Sequence, residues 1–515
     1  IALVSLVIAS FLWNCLSLYS NYQAAKQLGV PIVISPFDFY QPFWQLTHKA
    51  LLPLFRRLPK PLNTFTRFSY FGWQFDDKNA AYEEFGPAFV LVTPGMTEFV
   101  VSDPGATKEL LATHHSYCKP PSIQIVSLYG QNLVTVEKDD WVRHRKLTAP
   151  HFSERVSRFV WDESIEQTRG MLRKVFGTVN SISDTLVEDC KIIALHVIMG
   201  AGLGASHDFD RGAKGIQKGH TMGLGESVFT TLENITIILV SSSAFSLLKL
   251  PIFPKSLRKV GAAAQEYRSY LDELIETEKN RSSDDLNRPN LLSAMVRGND
   301  NSQGEKASRY RLSIDEIRGN LFAFSFAGHD TTANVLVYTF ALLAVHPEWQ
   351  DWIGEEVDEI GNQYPDGLIE YEKIYPRLKR CMATMYETLR IYGPVTWIPR
   401  ATTAHRSLTF SEPLKVSGEQ STTLPPGMLL NINVYEPHTR PSHWGQDSYA
   451  FRPSRFVLTP TETKPNGWIV EGDKNNDGTE KIMHPPSGVF NPWSMGPRIC
   501  VGIKFSQVEF VAVLF

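Results

Sequence analysis

The chain has 515 residues, which is enough for about two or three ordinary domains or one unusually large one. Hydrophobic residues make up 43% and the formal net charge is -3, so the chain can bury a large core but lacks the basic balance that nucleic-acid binding requires. The five cysteines are odd in number and scattered, with no CxxC pair, which argues against a disulfide framework and a closed zinc site and favours a reducing compartment.

The amino-terminal 25 residues are predominantly apolar and carry no Asp, Glu, Lys or Arg. A run of about 20 apolar residues spans the hydrocarbon core of a bilayer as a helix. Trp13, Tyr19 and Tyr22 are suited to its interfacial end. We therefore predict a transmembrane anchor over residues 1–25, with a cleaved signal peptide or a buried helix as the alternatives.

A proline-rich basic segment follows, and we predict that residues 26–65 form a linker. Positive charge follows the apolar run at Lys49, Arg56, Arg57, Lys60 and Arg67. This charge asymmetry places the body of the protein on the cytoplasmic side of the membrane.

Residues 66–515 combine many helical patterns with fewer strand patterns, which predicts a mainly α fold with a smaller β-rich part (α+β). Strands are predicted at 88–92 and 98–101, and Ser102-Asp103-Pro104 predicts a helix start. The reading from Trp141 to Thr384 is mostly helical, with loops predicted at 280–290, 297–309 and 459–486. No GxGxxG element or P-loop follows a strand, so redox chemistry would need electrons from a partner. The chain starts at Ile1 and ends at Phe515 within an apolar run, so we expect both ends to be truncated.

A long helix is predicted from the capping box Ser313-Ile314-Asp315-Glu316 to Val345. Its middle carries Ala327-Gly328-His329-Asp330-Thr331-Thr332, where small residues, an acid and hydroxyls interrupt an apolar helix. This pattern predicts a local kink that frees backbone groups and leaves a groove for a diatomic ligand, with Thr331 and Asp330 supplying a hydroxyl and a proton route. The alternative is a helix that merely tolerates a glycine and threonines.

Two shorter patterns place paired side chains on one helix face. Trp141 and Arg145 stand at i and i+4, and Glu387 and Arg390 at i and i+3. The first pattern also fits a surface helix with a solvated basic face. The second is expected by chance in a chain of this length.

The most specific segment is Asn491-Pro492-Trp493-Ser494-Met495-Gly496-Pro497-Arg498-Ile499-Cys500-Val501-Gly502. It is a Pro/Gly-rich loop before an apolar helical run that begins near Val501, so the helix amino-terminus favours the Cys500 thiolate. Gly496 and Gly502 let either the backbone or a flat ligand approach closely where a Cβ would clash, and Arg498 offers a cation to an acidic group on that ligand. A thiolate, an accessible backbone and a cation for carboxylates predict a haem site with Cys500 as the axial iron ligand; a buried cysteine with a packing role is the alternative.

This loop resembles the haem-binding signature Phe-x-x-Gly-x-Arg-x-Cys-x-Gly of the cytochrome P-450 superfamily, the haem-thiolate monooxygenases, in the form seen in fungal microsomal members. Trp493 replaces the signature's Phe and keeps an aromatic ring there. The resemblance covers the chain from about residue 30 to Phe515. The family normally continues with strands that close the pocket, and we expect this chain to lack them.

The resemblance implies roles for the remaining motifs. Thr331 and Asp330 match the oxygen-activation motif, as hydrogen-bonding and proton-delivering residues. Trp141, Arg145 and Arg400 match haem propionate ligands. Glu387, Arg390 and Arg455 match a buried charge network that locks the cysteine loop, although Ser454 stands where many members have Glu.

The same resemblance implies the P-450 fold, with a long central helix over haem b, and a monooxygenase that inserts one oxygen atom from O2 into a hydrophobic small molecule by hydroxylation or epoxidation. It also implies secondary metabolism or detoxification, an NADPH-dependent flavoprotein reductase as electron donor, contact with membrane lipid and a single-pass location in the endoplasmic reticulum membrane, with the catalytic domain facing the cytoplasm. Two alternatives remain open. One is a haem-thiolate isomerase or dehydratase that does not use O2, and the other is a non-catalytic, membrane-anchored haem protein.

Overall fold

The computed structural model describes residues 2–177, 183–209, 216–281, 290–300, 311–364, 369–471 and 479–515. The chain divides into two compact units. Unit 1 comprises residues 1–120, 389–452 and 458–500, and unit 2 comprises residues 121–388, 453–457 and 501–515.

The helices of the described residues are numbered in chain order. They are α1 (Ala2–Lys26), α2 (Pro42–Phe55), α3 (Trp73–Asp77), α4 (Ala80–Phe85), α5 (Pro104–Ala112), α6 (Lys138–Thr148), α7 (Glu154–Phe176), α8 (Leu186–Ile198), α9 (Leu224–Glu233), α10 (Ile235–Ser241), α11 (Lys255–Lys279), α12 (Leu291–Asp300), α13 (Ile314–Val345), α14 (Pro347–Gly361), α15 (Tyr371–Ile374), α16 (Lys379–Tyr392), α17 (Tyr435–Thr439), α18 (Pro441–Trp444) and α19 (Ile503–Leu514).

The strands are shorter and lie mainly in unit 1. They are β1 (Ile32–Ile34), β2 (Ala88–Val92), β3 (Thr97–Val101), β4 (Tyr117–Cys118), β5 (Trp397–Thr402), β6 (Arg406–Thr409), β7 (Ser421–Leu424), β8 (Leu429–Asn433), β9 (Val457–Leu458), β10 (Ile469–Val470) and β11 (Lys481–His484). The predicted mixture of many helices and a smaller β part is confirmed, as are the strand at 88–92 and the helix start at Asp103, whose carboxylate accepts the Ala106 N–H as an N-cap.

A six-stranded mixed sheet in the order β1-β2-β3-β8-β5-β4 organises unit 1. Residues alternate between its two faces, as the period of a strand requires. Val90 and Val92 contribute to one hydrophobic core, and Phe89 and Leu91 to the other. Strand β8 pairs parallel with β3 and antiparallel with β5, and the second pairing sets Arg400 opposite Leu430.

Residues 26–65, predicted to be a linker, contain β1 and α2 in the folded part of unit 1. Strand β1 pairs parallel with β2, and α2 carries Trp44 and Leu52 into the core on that side of the sheet. Pro42 occupies the start of α2, where its missing N–H costs no helical hydrogen bond. The proline-rich composition suggested a linker because prolines usually interrupt regular structure. A proline at the start of a helix does not have this effect.

Helix α1 coincides with the predicted anchor, but its carboxyl-terminal part packs on the sheet of unit 1. Ala25 is fully buried, Leu18 and Tyr22 contact the same core, and the Asn21 side chain donates to the Thr93 carbonyl at 2.9 Å. Among the helical residues that the structure describes, no helix is long and apolar enough to cross a membrane. The predicted transmembrane helix over 1–25 is therefore not confirmed.

Unit 2 is built from helices around α13, which spans 32 residues. The predicted capping box is confirmed, since the Ser313 hydroxyl accepts the Glu316 N–H and the Glu316 carboxylate accepts the Ser313 N–H. A Cβ on Gly328 would lie 3.2 Å from the side chain of Ile198, so this glycine allows α8 to pack closely on α13. The helix continues without a break through residues 327–332, so the predicted kink does not interrupt it.

The predicted loops lie partly outside the described residues, at 282–289, 301–310 and 472–478. Of the described parts, residues 297–300 belong to α12, while β10 and β11 pair as an antiparallel ribbon within 459–486.

Candidate active site

The loop that ends at Cys500 is an ordered turn in unit 1. The Cys500 N–H donates to the Trp493 carbonyl at 3.0 Å, and the Ser494 N–H donates to the Asn491 carbonyl at 3.0 Å. The side chain of Cys500 is exposed, and no disulfide joins any of the five cysteines, all of which lie in the described residues. The loop therefore presents its thiol for ligation.

Gly496 is required by the fold of this loop. Its φ is +71°, in the left-handed region that other residues adopt at a cost. An added Cβ would also meet the carbonyl oxygen of Leu111 and lie 3.0 Å from Ala112 Cα, at the end of α5. The glycine thus allows a close approach between the loop and the backbone at the end of α5, which is one of the two reasons predicted for it.

Gly502 stands at the N-cap of α19, in unit 2, with a φ of -90° that any residue adopts. Helix α19 begins at Ile503, two residues later than the start predicted near Val501. Cys500 therefore lies three residues before the first helical residue, Ile503.

His438 holds the beginning of the cysteine loop. Its Nε2 accepts the Asn491 N–H at 2.9 Å, and the Asn491 side chain donates to the Gly488 carbonyl at 2.8 Å. Burial, and then the positive charge of Arg390, lower the pKa of His438 to about 3. The ring is therefore neutral at physiological pH and its Nε2 is available as an acceptor.

Arg390 connects the end of α16 to the segment around His438. Its guanidinium donates to the carbonyls of His438 at 2.9 Å, Ser448 at 2.5 Å and Ala450 at 3.2 Å. It also lies 4.8 Å from the ring centre of Trp444, within cation–π range. Arg390 is fully buried, and its donors fix the backbone on which His438 is carried.

Arg400 and Arg498 are two further buried cations of unit 1, 4% and 9% exposed. Arg400 is held on β5 and donates to the Pro399 carbonyl at 2.8 Å. Guanidinium groups pair with carboxylates in a fixed fork, while a cysteine thiolate is a soft ligand for iron. The chemistry of this donor set, one exposed thiol and two buried cations, fits a haem with its propionates.

Trp141 and Arg145 lie on α6 in unit 2, on the same helix face, as predicted. Trp141 is buried and Arg145 is half-buried. The helix also buries His144 and Thr148, so one of its faces packs into unit 2.

Asp330 and Thr331 lie side by side on α13. The Thr331 hydroxyl donates to the Ala327 carbonyl at 2.7 Å, and the Asp330 side chain is 38% exposed. The Asp330 carboxylate also stands 3.5 Å from Nδ1 of His329, a fully buried residue whose pKa is lowered by burial. Asp330 is thus open to solvent while its neighbour Thr331 keeps an oxygen lone pair for a ligand.

Glu387 and Arg455 form a buried ion pair in unit 2. The Arg455 Nε donates to a Glu387 carboxylate oxygen at 2.9 Å, with side chains 4% and 0% exposed. The contacts of Arg390 described above lie in unit 1. Two members of the predicted three-residue network are therefore seen to pair directly.

The resemblance implied a structural role for His438, but its contact with the cysteine loop was not predicted. Two buried polar residues next to these motifs were not singled out from the sequence. They are His144, whose ring contacts Glu316, and Glu509, whose carboxyl is fully buried on α19. His438 and His144 bond to partners far away in the chain, and no local pattern reveals such pairs. The signal available for Glu509 was a single acid in the apolar run of residues 508–515.

Comparison with known proteins identifies the family. The cytochrome P450 family model matches residues 62–515. A cytochrome P450 monooxygenase of Arthrobotrys oligospora is 27% identical over 521 residues, covering 96% of this chain and 86% of the relative. The phomenoic acid biosynthesis cluster cytochrome P450 monooxygenase of Leptosphaeria maculans is 29% identical over 527 residues, covering 95% and 86%. Cytochrome P450 monooxygenase 124 of Postia placenta is 31% identical over 435 residues, covering 82% and 75%.

The chain belongs to the cytochrome P450 family. It is a haem-dependent monooxygenase, an oxidoreductase whose reaction uses O2, a hydrophobic substrate and a redox partner. The family, the enzyme class and the haem cofactor that the cysteine loop predicted are therefore confirmed.

Proposed function

We propose that the thiolate of Cys500 would bind the haem iron. The observation that carries this proposal is the presentation of an exposed thiol at the end of a loop held by the His438–Asn491 hydrogen bond and the left-handed turn at Gly496. A ligand fixed in this way loses little conformational entropy on binding. Arg400 and Arg498 hold haem propionates in this proposal, as do Trp141 and Arg145.

Haem held by these residues would supply the activation of O2, a reaction in which two electrons and two protons are consumed, one oxygen atom goes to the substrate and the other leaves as water. We propose that Thr331 and Asp330 deliver the protons that this reaction consumes. The Asp330 carboxylate takes up a proton from solvent, to which its side chain is open. The Thr331 hydroxyl donates a hydrogen bond toward the O2 site after release from the Ala327 carbonyl. Their adjacency on one helix supports this division of roles.

Spectroscopy of the purified protein tests the ligand assignment. The wild type is expected to show the red-shifted Soret band of a ferrous carbonyl haem-thiolate, and Cys500→Ala and Cys500→His to lose it. Cys118→Ala is the matched control, because Cys118 is half-exposed in the same unit. Retention of the band in either Cys500 variant would show that another residue ligates the iron.

Use of O2 distinguishes monooxygenation from an isomerase or dehydratase reaction. The adjacent Asp330 and Thr331 favour monooxygenation, because rearrangement of a peroxide needs no delivery of protons for O2 activation. Product is expected only with O2 and an electron donor. Turnover under strict anaerobiosis without reductase would instead identify an isomerase or dehydratase.

We further propose that the substrate is a small hydrophobic compound of secondary metabolism or detoxification. The Leptosphaeria relative is named for a biosynthesis cluster, which supports the first setting. An NADPH-dependent flavoprotein reductase supplies the electrons in this proposal. A screen for substrate-induced spectral shifts, followed by turnover with such a reductase, tests both parts.

We also propose contact with the endoplasmic reticulum membrane through α1, with the catalytic part of the chain on the cytoplasmic side. Large apolar side chains of α1 are exposed, among them Phe11 at 66%, Trp13 at 72% and Leu16 at 68%. A more specific version of this proposal is that α1 spans the membrane as a single-pass anchor. Flotation with phospholipid vesicles is expected for the wild type and is expected to be lost in the triple variant Phe11→Ser, Trp13→Ser, Leu16→Ser. Resistance of the wild type to extraction at alkaline pH distinguishes a spanning anchor from surface contact.

A further inference from the structure

Glu316 joins the start of α13 to α6. Besides closing the capping box with the Ser313 N–H at 2.8 Å, its carboxylate accepts Arg143 at 2.5 and 3.0 Å and His144 Nε2 at 3.2 Å. Burial opposes ionisation of Glu316, but hydrogen bonds from Arg143, the Ser313 backbone and His144 outweigh it and lower its pKa to about 2. The junction therefore contains a carboxylate throughout the physiological pH range.

Both ring nitrogens of His144 are engaged. Asn320, one turn further along α13, donates its Nδ2 to His144 Nδ1 at 3.1 Å, while its Oδ1 accepts the Leu133 N–H at 2.8 Å. The amide orientation set by Leu133 assigns Nδ1 as an acceptor and places the ring proton on Nε2, facing Glu316. Burial lowers the pKa of His144, and hydrogen bonding to Glu316 offsets this only in part. The fully buried ring is therefore a neutral bridge between two residues of α13.

The loop before α6 presses directly on the same part of α13. A Cβ on Gly319 would meet the Gly130 carbonyl oxygen and lie 2.6 Å from that of Gln131. Gly130 has a φ of +141°, and a Cβ there would meet the Asp315 carbonyl oxygen. Two backbones in such close contact leave little room for sliding, so the junction is rigid at the loop as well as at the side chains.

We propose that His144 is a positioning residue that fixes the rotation of α6 about its axis, and with it the direction in which Trp141 and Arg145 face the haem propionate. This inference rests on the propionate roles proposed above. His144 is adjacent to Arg145 in sequence and three residues after Trp141, and each residue turns an α-helix by about 100°. A buried ring held at both nitrogens by α13 therefore restricts the rotation of α6. The longer and partly exposed side chain of Arg143 can follow a rotation and keep its contact.

A merely structural role for His144 predicts a loss of stability without a specific effect on the haem. The chain offers a matched control, because His196 on α8 is also a buried neutral histidine in unit 2. Its Nδ1 bonds to Gln167 at 2.9 Å, and burial together with the charge of His207 lowers its pKa to about 4. His196 lies on a helix to which no haem contact is assigned. His144→Leu and His196→Leu thus remove similar interactions at different places.

The experiment measures the rate of haem transfer from the full-length holoenzyme to excess apomyoglobin, together with thermal unfolding and the resonance Raman propionate bending modes. His144→Leu is expected to speed transfer by about 10- to 100-fold and to shift the propionate modes, as loss of an orienting partner does at metal sites. His144→Gln, which retains a donor and an acceptor, is expected to fall between this variant and wild type. His196→Leu is expected to lower the unfolding temperature while leaving the transfer rate and the propionate modes unchanged.

Two outcomes would overturn the proposal. One is transfer by His144→Leu at the wild-type rate, and the other is equal acceleration by His196→Leu. If His144→Leu does not fold, His144→Gln decides the question by the same two measurements. Failure of the proposed propionate roles is seen separately, because Arg145→Leu would then leave both the haem transfer rate and the propionate modes of the holoenzyme unchanged.

Discussion

The imidazole of His438 accepts the backbone N–H of Asn491, nine residues before the proposed iron ligand, at 2.9 Å. The same residue offers its carbonyl to the buried guanidinium of Arg390. His438 is therefore the link between the Arg390 site and the loop that presents Cys500. Its neutral state is maintained by burial and by the nearby charge of Arg390, which together hold the pKa of the ring at about 3.

Replacement of His438 by Leu is expected to loosen the cysteine loop. The Asn491 N–H would be left buried without its acceptor, which costs about 1–3 kcal/mol. Urea unfolding should show this loss, and the ferrous carbonyl spectrum should show a larger fraction without the red-shifted thiolate band. His443→Leu is the control, because the half-buried ring of His443 lies in the same unit and its pKa is also lowered mainly by burial. An unchanged spectrum in His438→Leu would contradict a role in presenting Cys500.

The buried ion pair of Glu387 and Arg455 is expected to be intolerant of single substitutions. Removing one partner takes away the opposite charge that the other contacts in a position that is almost fully buried, at a cost of about 3–5 kcal/mol. Glu387→Leu and Arg455→Met should each lower the yield of folded holoprotein and the free energy of unfolding. The double variant should recover part of the loss because it removes both members of the ion pair together. Equal and additive losses in the double variant would count against direct pairing.

The local elements were predictable because their patterns lie within a few residues of each other. The Ser313 capping box and the strand at 88–92 depend on neighbours in sequence, and both are found as predicted. The cysteine loop was predictable for another reason, since its residue string is specific. Even there the loop sequence did not show which backbone approaches Gly496, because Leu111 at the end of α5 belongs to a distant segment.

The remaining parts of the site depend on contacts between distant residues. Glu316 and Arg143 are separated by 173 positions, and His438 and Asn491 by 53. Helical periodicity shows which face of α6 is buried but not which residue of α13 faces it. The strand within residues 26–65 was not predicted for a related reason. The prolines of this segment suggested a linker, whereas β1 pairs with a strand more than fifty residues away and so belongs to the sheet.

Thr331 and Asp330 are expected to affect the use of electrons more than substrate binding. Thr331→Ala removes the hydroxyl but no charge, so NADPH consumption should continue while more of the O2 is released as hydrogen peroxide. Asp330→Asn removes the proton carrier and should slow turnover by about 10²- to 10⁴-fold, the usual contribution of a positioned acid or base. Thr331→Ser, which retains the hydroxyl, is the control. Product, peroxide and NADPH measured together check both effects, and full coupling in Thr331→Ala would contradict the assigned role.

Glu509 is expected to be a neutral acid in the folded protein at physiological pH. Burial raises its pKa well above the ordinary value of 4.5, and the Thr332 hydroxyl on α13 offsets this only in part. A raised pKa means that the folded chain binds this proton more tightly than the unfolded chain. The contribution to stability is therefore complete below the unfolded pKa and is lost as pH rises through the folded value.

Glu509→Gln replaces the neutral acid with a neutral amide of similar shape, so its stability near neutral pH should change little and its dependence on alkaline pH should weaken. Glu509→Leu, which removes the buried polar atoms, should be neutral or stabilising, because neither carboxyl oxygen has a hydrogen bond of good geometry within the described residues. Urea unfolding across neutral and alkaline pH checks both variants, with Glu462→Gln as an exposed control. A large loss of stability in Glu509→Gln at neutral pH, together with an unchanged pH slope, would show instead that Glu509 is ionised and bound to a cationic partner.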